Sequence, residues 1–262
     1  MIALQEVFNT RSVREVLPPD WEAHTSADET IAPPIPQHVG VAWKSGVHQP
    51  GNWELEMRLS DVGDRPLRPG LVFTDSWNGK PVQVMVVHLK ASCSSPTTPI
   101  SAPKSPGEKD ACPSLEKQVH VLEKWVDDRV NSDFVIIGDF NRRLTYEKKR
   151  APNMGSRPNP KIDQLFPELN DNDPIGGEIW LAQPPRTAVP DGKERISEPC
   201  VNGHRAIDHI VISGSLAKRA HIGYLQAHPI TLDGEILFKA GTLPFKALPS
   251  DHCPHFVEIR PQ

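Results

Sequence analysis

Proline restricts the fold of this chain more than any other feature of its sequence. The 28 prolines among 262 residues are spread along the whole chain. A proline inside a helix removes a hydrogen bond and clashes with the preceding turn, whereas turns and strand ends accept it. The sequence therefore predicts few long helices and many connections between short strands.

Short apolar runs supply the predicted strands. They alternate between apolar and polar residues, or they are almost wholly apolar, over the lengths typical of strands. The run at 82–87 is nearly continuous in apolar residues, as in a strand that is covered on both faces. The predicted strands are residues 2–7, 39–43, 53–59, 71–74, 82–87, 134–137, 206–213 and 255–259.

One long amphipathic helix is predicted over residues 114–130, where apolar residues recur at spacings of three and four. Residues 11–17 have weaker helical character. Three polar or proline-rich segments are predicted to be surface loops, namely 18–38, 91–113 and the basic segment 145–161. This pattern favours a β-rich α/β sandwich, and the length suits a single domain over residues 1–262.

Charge and hydropathy argue against a protein that coats nucleic acid through a general positive charge and against a membrane-spanning protein. The net charge is −4, so a polyanionic substrate would have to bind through a local basic patch or a metal ion. No apolar run approaches the roughly 18 residues that a bilayer span needs. Met1 leads directly into a predicted strand, so we expect no signal peptide within this sequence.

The cysteines allow two interpretations. Cys93, Cys112, Cys200 and Cys253 form an even set without the Cys-x-x-Cys spacing of a zinc site. Composition alone favours buried free thiols over disulfides.

Polar side chains occur at the ends of several predicted strands. Each has an ordinary explanation when taken alone: a strand-end glutamate in water, a core histidine, or an Asx turn. Together they indicate one rigid site built on a sheet. The residues are Gln5 with Glu6, His88, Asp139 with Asn141, Asp208, and Asp251 with His252.

These residue types suit phosphoester chemistry. Carboxylate oxygens bind hard cations, and a histidine can assist attack by water on phosphorus. An aspartate such as Asp208 would fix the tautomer of His252 and stabilise its charged form. Asn141 could orient the nucleophile or a phosphate oxygen, and His88 could donate to the phosphate.

Five motifs carry a family resemblance. Gln5-Glu6-Val7, His88-Leu89-Lys90, Gly138-Asp139-Phe140-Asn141, Ile207-Asp208-His209 and Ser250-Asp251-His252-Cys253-Pro254 occur in this order. In this the chain resembles the endonuclease/exonuclease/phosphatase superfamily. The resemblance implies a four-layer α/β sandwich of the α+β type, with two packed mixed or antiparallel sheets flanked by helices. The strand that precedes the first motif in that family is expected to be absent here.

The resemblance also implies residue roles. Glu6 and Asp251 would bind the metal, which is Mg²⁺ or alternatively Mn²⁺ or Ca²⁺. The catalytic residues would be His88, Asp139, Asn141, Asp208 and His252, with His252 as the general base.

Two further motifs, His-Leu-Lys-x-x-Cys and Gly-Asp-Phe-Asn-Arg-Arg, resemble an exported bacterial subgroup of the family. That subgroup implies the disulfides Cys93–Cys112 and Cys200–Cys253. Such bonds fit an oxidising compartment, so we expect a secreted or periplasmic protein.

The substrate is less constrained than the reaction. Arg142, Arg143 and Lys90 are candidate substrate-binding residues, because five basic residues fall within positions 142–150. A solvated basic loop is the alternative. We expect a monomeric nuclease acting on DNA or RNA, without stable membrane association. A phosphatase or phospholipase of the same superfamily and a non-catalytic remnant are the alternatives.

Overall fold

The computed structural model describes residues 1–29, 37–63, 66–93, 99–150, 164–182, 186–188, 194–196, 207–222, 231–232, 235–236 and 259–261. Within these ranges the strands are β1 (Ile2–Val7), β2 (Trp21–Thr25), β3 (His38–Lys44), β4 (Gly51–Glu56), β5 (Gly70–Trp77), β6 (Lys80–His88), β7 (Phe134–Asp139), β8 (Ile179–Leu181), β9 (Arg186–Ala188), β10 (Glu194–Ile196), β11 (Asp208–Ser213), β12 (Ala220–Ile222), β13 (Thr231–Leu232), β14 (Glu235–Ile236) and β15 (Ile259–Pro261). The helices are α1 (Thr10–Arg14), α2 (Ser26–Glu29), α3 (Pro106–Asp127), α4 (Leu144–Arg150), α5 (Leu165–Leu169) and α6 (Gly214–Arg219), and a 3₁₀ turn covers Met57–Leu59.

Two sheets contain the principal strands. One has six strands in the order β4-β5-β6-β7-β11-β8, and the other has three in the order β1-β3-β2. Within both sheets the described strand pairs are antiparallel except β6 and β7, which are parallel. Parallel neighbours need a long crossover connection, and α3 lies in the connection between these two strands.

The two faces of the six-stranded sheet are both covered. Val84 and Val86 of β6 belong to a core shared with Val41 of the three-stranded sheet. Met85 and Val87 point to the opposite face, into a core shared with α3 and α5. The sequence prediction that this strand is covered on both faces is therefore confirmed.

The other face of the three-stranded sheet is covered by α1. Val13 of α1 is buried against Ala23 of β2 and Ala42 of β3. The order of layers is thus α1, three-stranded sheet, six-stranded sheet, and α3 with α5. This arrangement confirms the predicted four-layer α/β sandwich.

Three predicted loops were wrong in part. The segment 18–38 contains β2 and α2, and the segment 145–161 begins within α4. The segment 91–113 ends in the first turns of α3, which starts eight residues before the predicted helix. Ser105 caps this helix in a capping box with Glu108, and Pro106 occupies its first turn. Proline is favoured at that position, so its presence did not exclude a helix.

A disulfide joins Cys93, which follows β6, to Cys112 of α3. Both residues are buried, and the bond closes a loop of 19 residues. One of the two predicted disulfides is thus confirmed, whereas Cys200 and Cys253 lie outside the described residues. A disulfide fits an oxidising compartment. Among the helices that the structure describes, none has both the length and the apolar character that a bilayer span requires.

The C-terminal half of α3 carries crowded carboxylates. The pKa of Asp127 is raised to about 6, mainly by burial and to a lesser extent by the nearby charges of Glu123, Asp171 and Asp173. The pKa of Glu123 is also raised, mainly by burial. A negative charge at the C-terminal end of a helix is unfavourable in addition, because the helix dipole is negative there.

We predict that Asp127→Asn stabilises the protein at pH 7 and has little effect at pH 4. Because the pKa of Asp127 is higher in the folded state, this residue contributes less to stability as the pH rises from about 4 to about 6. The gain should be about 1 kcal/mol or less, since solvent screens the charge. Urea unfolding at both pH values measures it.

The neighbouring Asp128→Asn is the matched control. Its carboxylate is exposed and accepts a hydrogen bond from Lys124, which lowers its pKa. This substitution should therefore leave stability at pH 7 unchanged or slightly reduced. A loss of stability at pH 7 in Asp127→Asn would contradict the prediction.

Candidate active site

The parallel pair β6–β7 brings two of the predicted catalytic residues together. In its register His88 lies beside Asp139, at the ends of the two strands. The Nε2 atom of His88 is 3.5 Å from Oδ2 of Asp139, and both side chains are buried. The strand-end positions in the sequence therefore become neighbouring positions in the fold.

Gly138 permits this close approach. Its φ is +141°, a conformation that residues with a side chain rarely adopt. A Cβ atom at this position would lie 2.0 Å from the carbonyl oxygen of Val87 and 3.1 Å from Nε2 of Gln5. Only glycine therefore fits between β6 and the side chain of Gln5.

A bulge in β1 directs Glu6 toward the same place. The register between β1 and β3 shifts between Leu4 and Val7, and Glu6 has a φ of +57°. A non-glycine residue in this region is strained, and such strain is found at functional sites. The side chain of Glu6 is 54% exposed, and Oε1 lies 3.9 Å from Nε2 of His88.

Asn141 is fixed against Asp139. Its backbone N–H donates to Oδ1 of Asp139 at 2.6 Å, and its side-chain amide donates to Oδ2 at 3.0 Å. The same amide nitrogen donates to the carbonyl of Leu89 at 2.9 Å. The segment is thus an Asx turn, as the ordinary interpretation predicted, and it also orders both side chains.

Asp208 lies beside Asp139 in the adjacent strand. The two residues are register partners in the antiparallel pair β11–β7, so their side chains lie on the same face of the sheet. Asp251 and His252 fall outside the described residues. The pairing of Asp208 with His252 therefore stays a prediction.

Arg68 is a residue of this cluster that the sequence analysis missed. Its guanidinium donates to Oε1 of Gln37 at 2.6 Å and, at 3.5 Å, to the carbonyl of His88. Burial lowers its pKa, while the negative charges of Glu6 and Asp139 act in the opposite direction. A basic residue two positions before the apolar strand β5 was the signal available in the sequence.

The predicted substrate-binding residues do not come together. Arg142 is fully buried, and its guanidinium is paired with Glu147, so the prediction that it contacts substrate is corrected. Arg143 is half-buried, 5.8 Å from the ring centroid of Tyr146. Lys90 is half-buried, and its backbone N–H donates to Gln118. The two arginines that begin the basic run therefore do not form a shared exposed surface, because the first is buried just before α4.

A second group of potential metal ligands lies in the helical layer. One donor atom each of His120, Glu123 and Glu168 lies within 4.8 Å of the others. These residues belong to α3 and α5, whereas Glu6 belongs to the three-stranded sheet. The group is thus separate from the predicted metal ligand.

The cluster around His88 combines complementary chemical groups. It has the exposed carboxylate of Glu6, the buried imidazole of His88, the ordered carboxylate and amide of Asp139 and Asn141, and the guanidinium of Arg68. Carboxylate oxygens can bind a hard cation, and the imidazole and guanidinium can donate to an anion. The cluster is therefore suited to binding a phosphate group beside a divalent metal ion.

The fold and motifs agree with the class that the sequence resembles, the endonuclease/exonuclease/phosphatase superfamily. No protein-family model and no curated protein sequence matches the chain. Several solved structures are similar to it. D. rerio TDP2 in complex with a single-strand DNA product has a TM-score of 0.49 and 13% identity, covering 88% of this chain and 78% of that one.

Two further structures show comparable similarity. A 3′ phosphatase from Neisseria, NExo, bound to a product DNA hairpin, has a TM-score of 0.48 and 15% identity over 98% of this chain and 88% of that chain. An endonuclease/exonuclease/phosphatase family protein from Bacteroides thetaiotaomicron has a TM-score of 0.44 and 11% identity, over 83% and 68%.

We predict that Gly138→Ala lowers the free energy of unfolding by about 3–5 kcal/mol, because the new methyl group meets the Val87 carbonyl in a strained conformation. Gly79→Ala is the matched control, since Gly79 also has positive φ but has no atom within 4 Å of the added Cβ. It should cost only about 1 kcal/mol. Equal losses in urea unfolding would contradict the close approach.

Proposed function

We propose that this chain is a metal-dependent phosphodiesterase that hydrolyses DNA or RNA. The observation that carries the proposal is the convergence of Glu6, His88 and Asp139, with Arg68 beside them, at the end of the parallel pair β6–β7. Two carboxylates and two donor groups at one strand end match what a phosphodiester and its metal ion require.

Glu6 fits the role of a metal ligand. Its carboxylate is half-exposed and is directed to the cluster by the bulge in β1, so it can reach an ion from solvent. Its oxygen donors are of the kind that Mg²⁺ or Mn²⁺ prefers, and Asp251 is the predicted second ligand. When bound, such an ion neutralises the phosphate charge and lowers the pKa of a coordinated water.

His88 and Arg68 would contact the phosphate. The imidazole of His88 is buried and the guanidinium of Arg68 is half-buried beside the carboxylates, and partial removal from water strengthens their interactions with an anion. A donor placed at the oxygen that gains charge stabilises the transition state. We therefore assign the two residues to binding and stabilising the phosphate.

Asn141 would orient the attacking water. Its side-chain N–H groups are directed at Leu89 and Asp139, so the group it presents is the amide oxygen. That oxygen can accept a hydrogen bond from a water molecule. In the proposal the predicted base His252, paired with Asp208, takes one proton from that water as its oxygen attacks phosphorus.

The substrate assignment depends on local charge. The net charge of −4 offers no general attraction for nucleic acid. The phosphate would therefore have to be bound by Arg68 and by a metal ion held at Glu6. Arg143 and Lys90 remain candidate contacts to other phosphates of the nucleic acid. The disulfide fits action in an oxidising compartment, and we propose a secreted or periplasmic location.

The test is cleavage of supercoiled plasmid and of single-stranded RNA with Mg²⁺ or Mn²⁺, each compared with EDTA. His88→Ala should lower the rate by about 10²–10⁴-fold, because the phosphate loses a donor beside the reacting bond. The matched control is His120→Ala, since His120 lies on α3 away from the cluster. It should retain the wild-type rate.

Three outcomes would change the proposal. If neither nucleic acid is cleaved but bis-p-nitrophenyl phosphate is, the chain is a phosphodiesterase with another substrate. If no phosphodiester is hydrolysed with any of these ions, the catalytic proposal is wrong. If His120→Ala is inactive and His88→Ala is not, the site is misplaced.

A further inference from the structure

Arg142, which directly follows Asn141, is a fully buried charged residue. Its side chain has no exposed surface, and its Nε and Nη2 atoms both lie 2.6 Å from Oε1 of Glu147. Its Nη1 atom donates to the carbonyl of Cys93 at 2.9 Å. The guanidinium therefore connects α4 to the segment that follows β6.

Glu147 extends this connection to α5. Its Oε2 atom accepts a hydrogen bond from the backbone N–H of Phe166 at 2.9 Å. Burial raises the pKa of Glu147, and the charge of Arg142 opposes that shift. The pair thus depends on both charges being present, because either one alone would be buried without compensation.

Cys93 is itself anchored. Its disulfide to Cys112 attaches the segment after β6 to the second turn of α3. The carbonyl that Arg142 contacts therefore belongs to a residue that is covalently held. Arg142 thus contacts α4 and this segment directly, and it is linked to α5 through Glu147 and to α3 through the disulfide.

The main chain of Arg142 is held as well. Its carbonyl oxygen lies 2.9 Å from Nε2 of His209, the residue after Asp208. Arg142 also directly follows Asn141, whose φ of +52° is sparsely populated by residues with side chains. A strained residue keeps its conformation only when its neighbours are fixed.

We infer that Arg142 is a positioning residue that holds Asn141 in its working orientation, acting through the buried pair with Glu147 and the disulfide-anchored carbonyl of Cys93. This inference rests on the proposed function, because Asn141 matters as the group that orients water. A buried ion pair is weak support for stability, since apolar residues of similar size often serve as well. We therefore assign the Arg142–Glu147 pair to fixing the orientation of Asn141 rather than to stabilising the fold.

The experiment replaces the pair as a unit. Arg142→Met combined with Glu147→Met removes both charges without leaving either one buried alone. The matched control is Arg11→Met with Glu15→Met, an exposed arginine–glutamate pair on α1. Steady-state hydrolysis of bis-p-nitrophenyl phosphate with Mn²⁺ gives kcat and KM, and hydrogen–deuterium exchange reports on residues 139–144.

In the buried double variant kcat should fall by about 10- to 100-fold while KM stays within about twofold, because misplacement of a water-orienting group affects the reacting geometry. Exchange in residues 139–144 should become faster. The exposed double variant should match the wild type in both. A folded buried variant with wild-type kcat and exchange would overturn the inference.

A second double variant tests the inference independently, in case Arg142→Met with Glu147→Met does not fold. Cys93→Ala with Cys112→Ala keeps the ion pair but releases the carbonyl that Arg142 contacts. It should lower kcat in the same way, and combining it with the buried pair variant should lower kcat by less than the product of the two effects. If the two losses in kcat are strictly multiplicative, the ion pair and the disulfide act on Asn141 independently, and the inference is overturned.

The two proposals can fail separately. If the wild type hydrolyses no phosphodiester, the proposed function is wrong, and exchange at residues 139–144 still decides whether Arg142 holds this segment. If the wild type is active and that exchange is unchanged in both variants, the positioning inference alone is wrong.

Discussion

The parallel pairing of β6 with β7 is the constraint on which the site depends. It places His88 beside Asp139, and α3 must serve as part of the crossover that a parallel pair needs. The pairing continues to the last residues of both strands because Gly138 lets the Val87 carbonyl come close. A side chain at that position would separate the strand ends, and the histidine and the aspartate with them.

The helical layer packs against one face of the strand pair β6–β7. Apolar residues of α3 and α5 cover one face of the six-stranded sheet, and the disulfide attaches the end of β6 to α3. The Arg142–Glu147 pair lies in the same layer and fixes the chain just after Asn141. The three-stranded sheet covers the other face and contributes Glu6 at a bulge. Both sheets therefore contribute residues to the candidate site, and the helical layer of α3, α4 and α5 fixes the chain segments that carry His88, Asp139 and Asn141.

Much of this was predictable from the sequence, for identifiable reasons. The almost wholly apolar run in β6 and the polar residues at strand ends predicted a two-sided sheet and the grouping of His88 with Asp139. Arg68 was missed because one arginine before a strand carries no periodic signal. Arg142 was wrongly assigned to substrate, since a run of basic residues does not reveal that its first guanidinium is buried against Glu147 of α4. The start of α3 was missed because the surrounding prolines obscured the capping box of Ser105 and Glu108.

We expect the metal ion to bind at Glu6 beside His88 and Asp139. Calorimetric titration of Mn²⁺ into wild type, Glu6→Gln and Glu123→Gln tests it most directly, because Glu123 belongs to the other group of potential ligands. Loss of one carboxylate ligand should weaken binding by more than about 10-fold in Glu6→Gln and leave it unchanged in Glu123→Gln. Binding that survives Glu6→Gln but is lost in Glu123→Gln would place the metal on the helical layer and contradict the account.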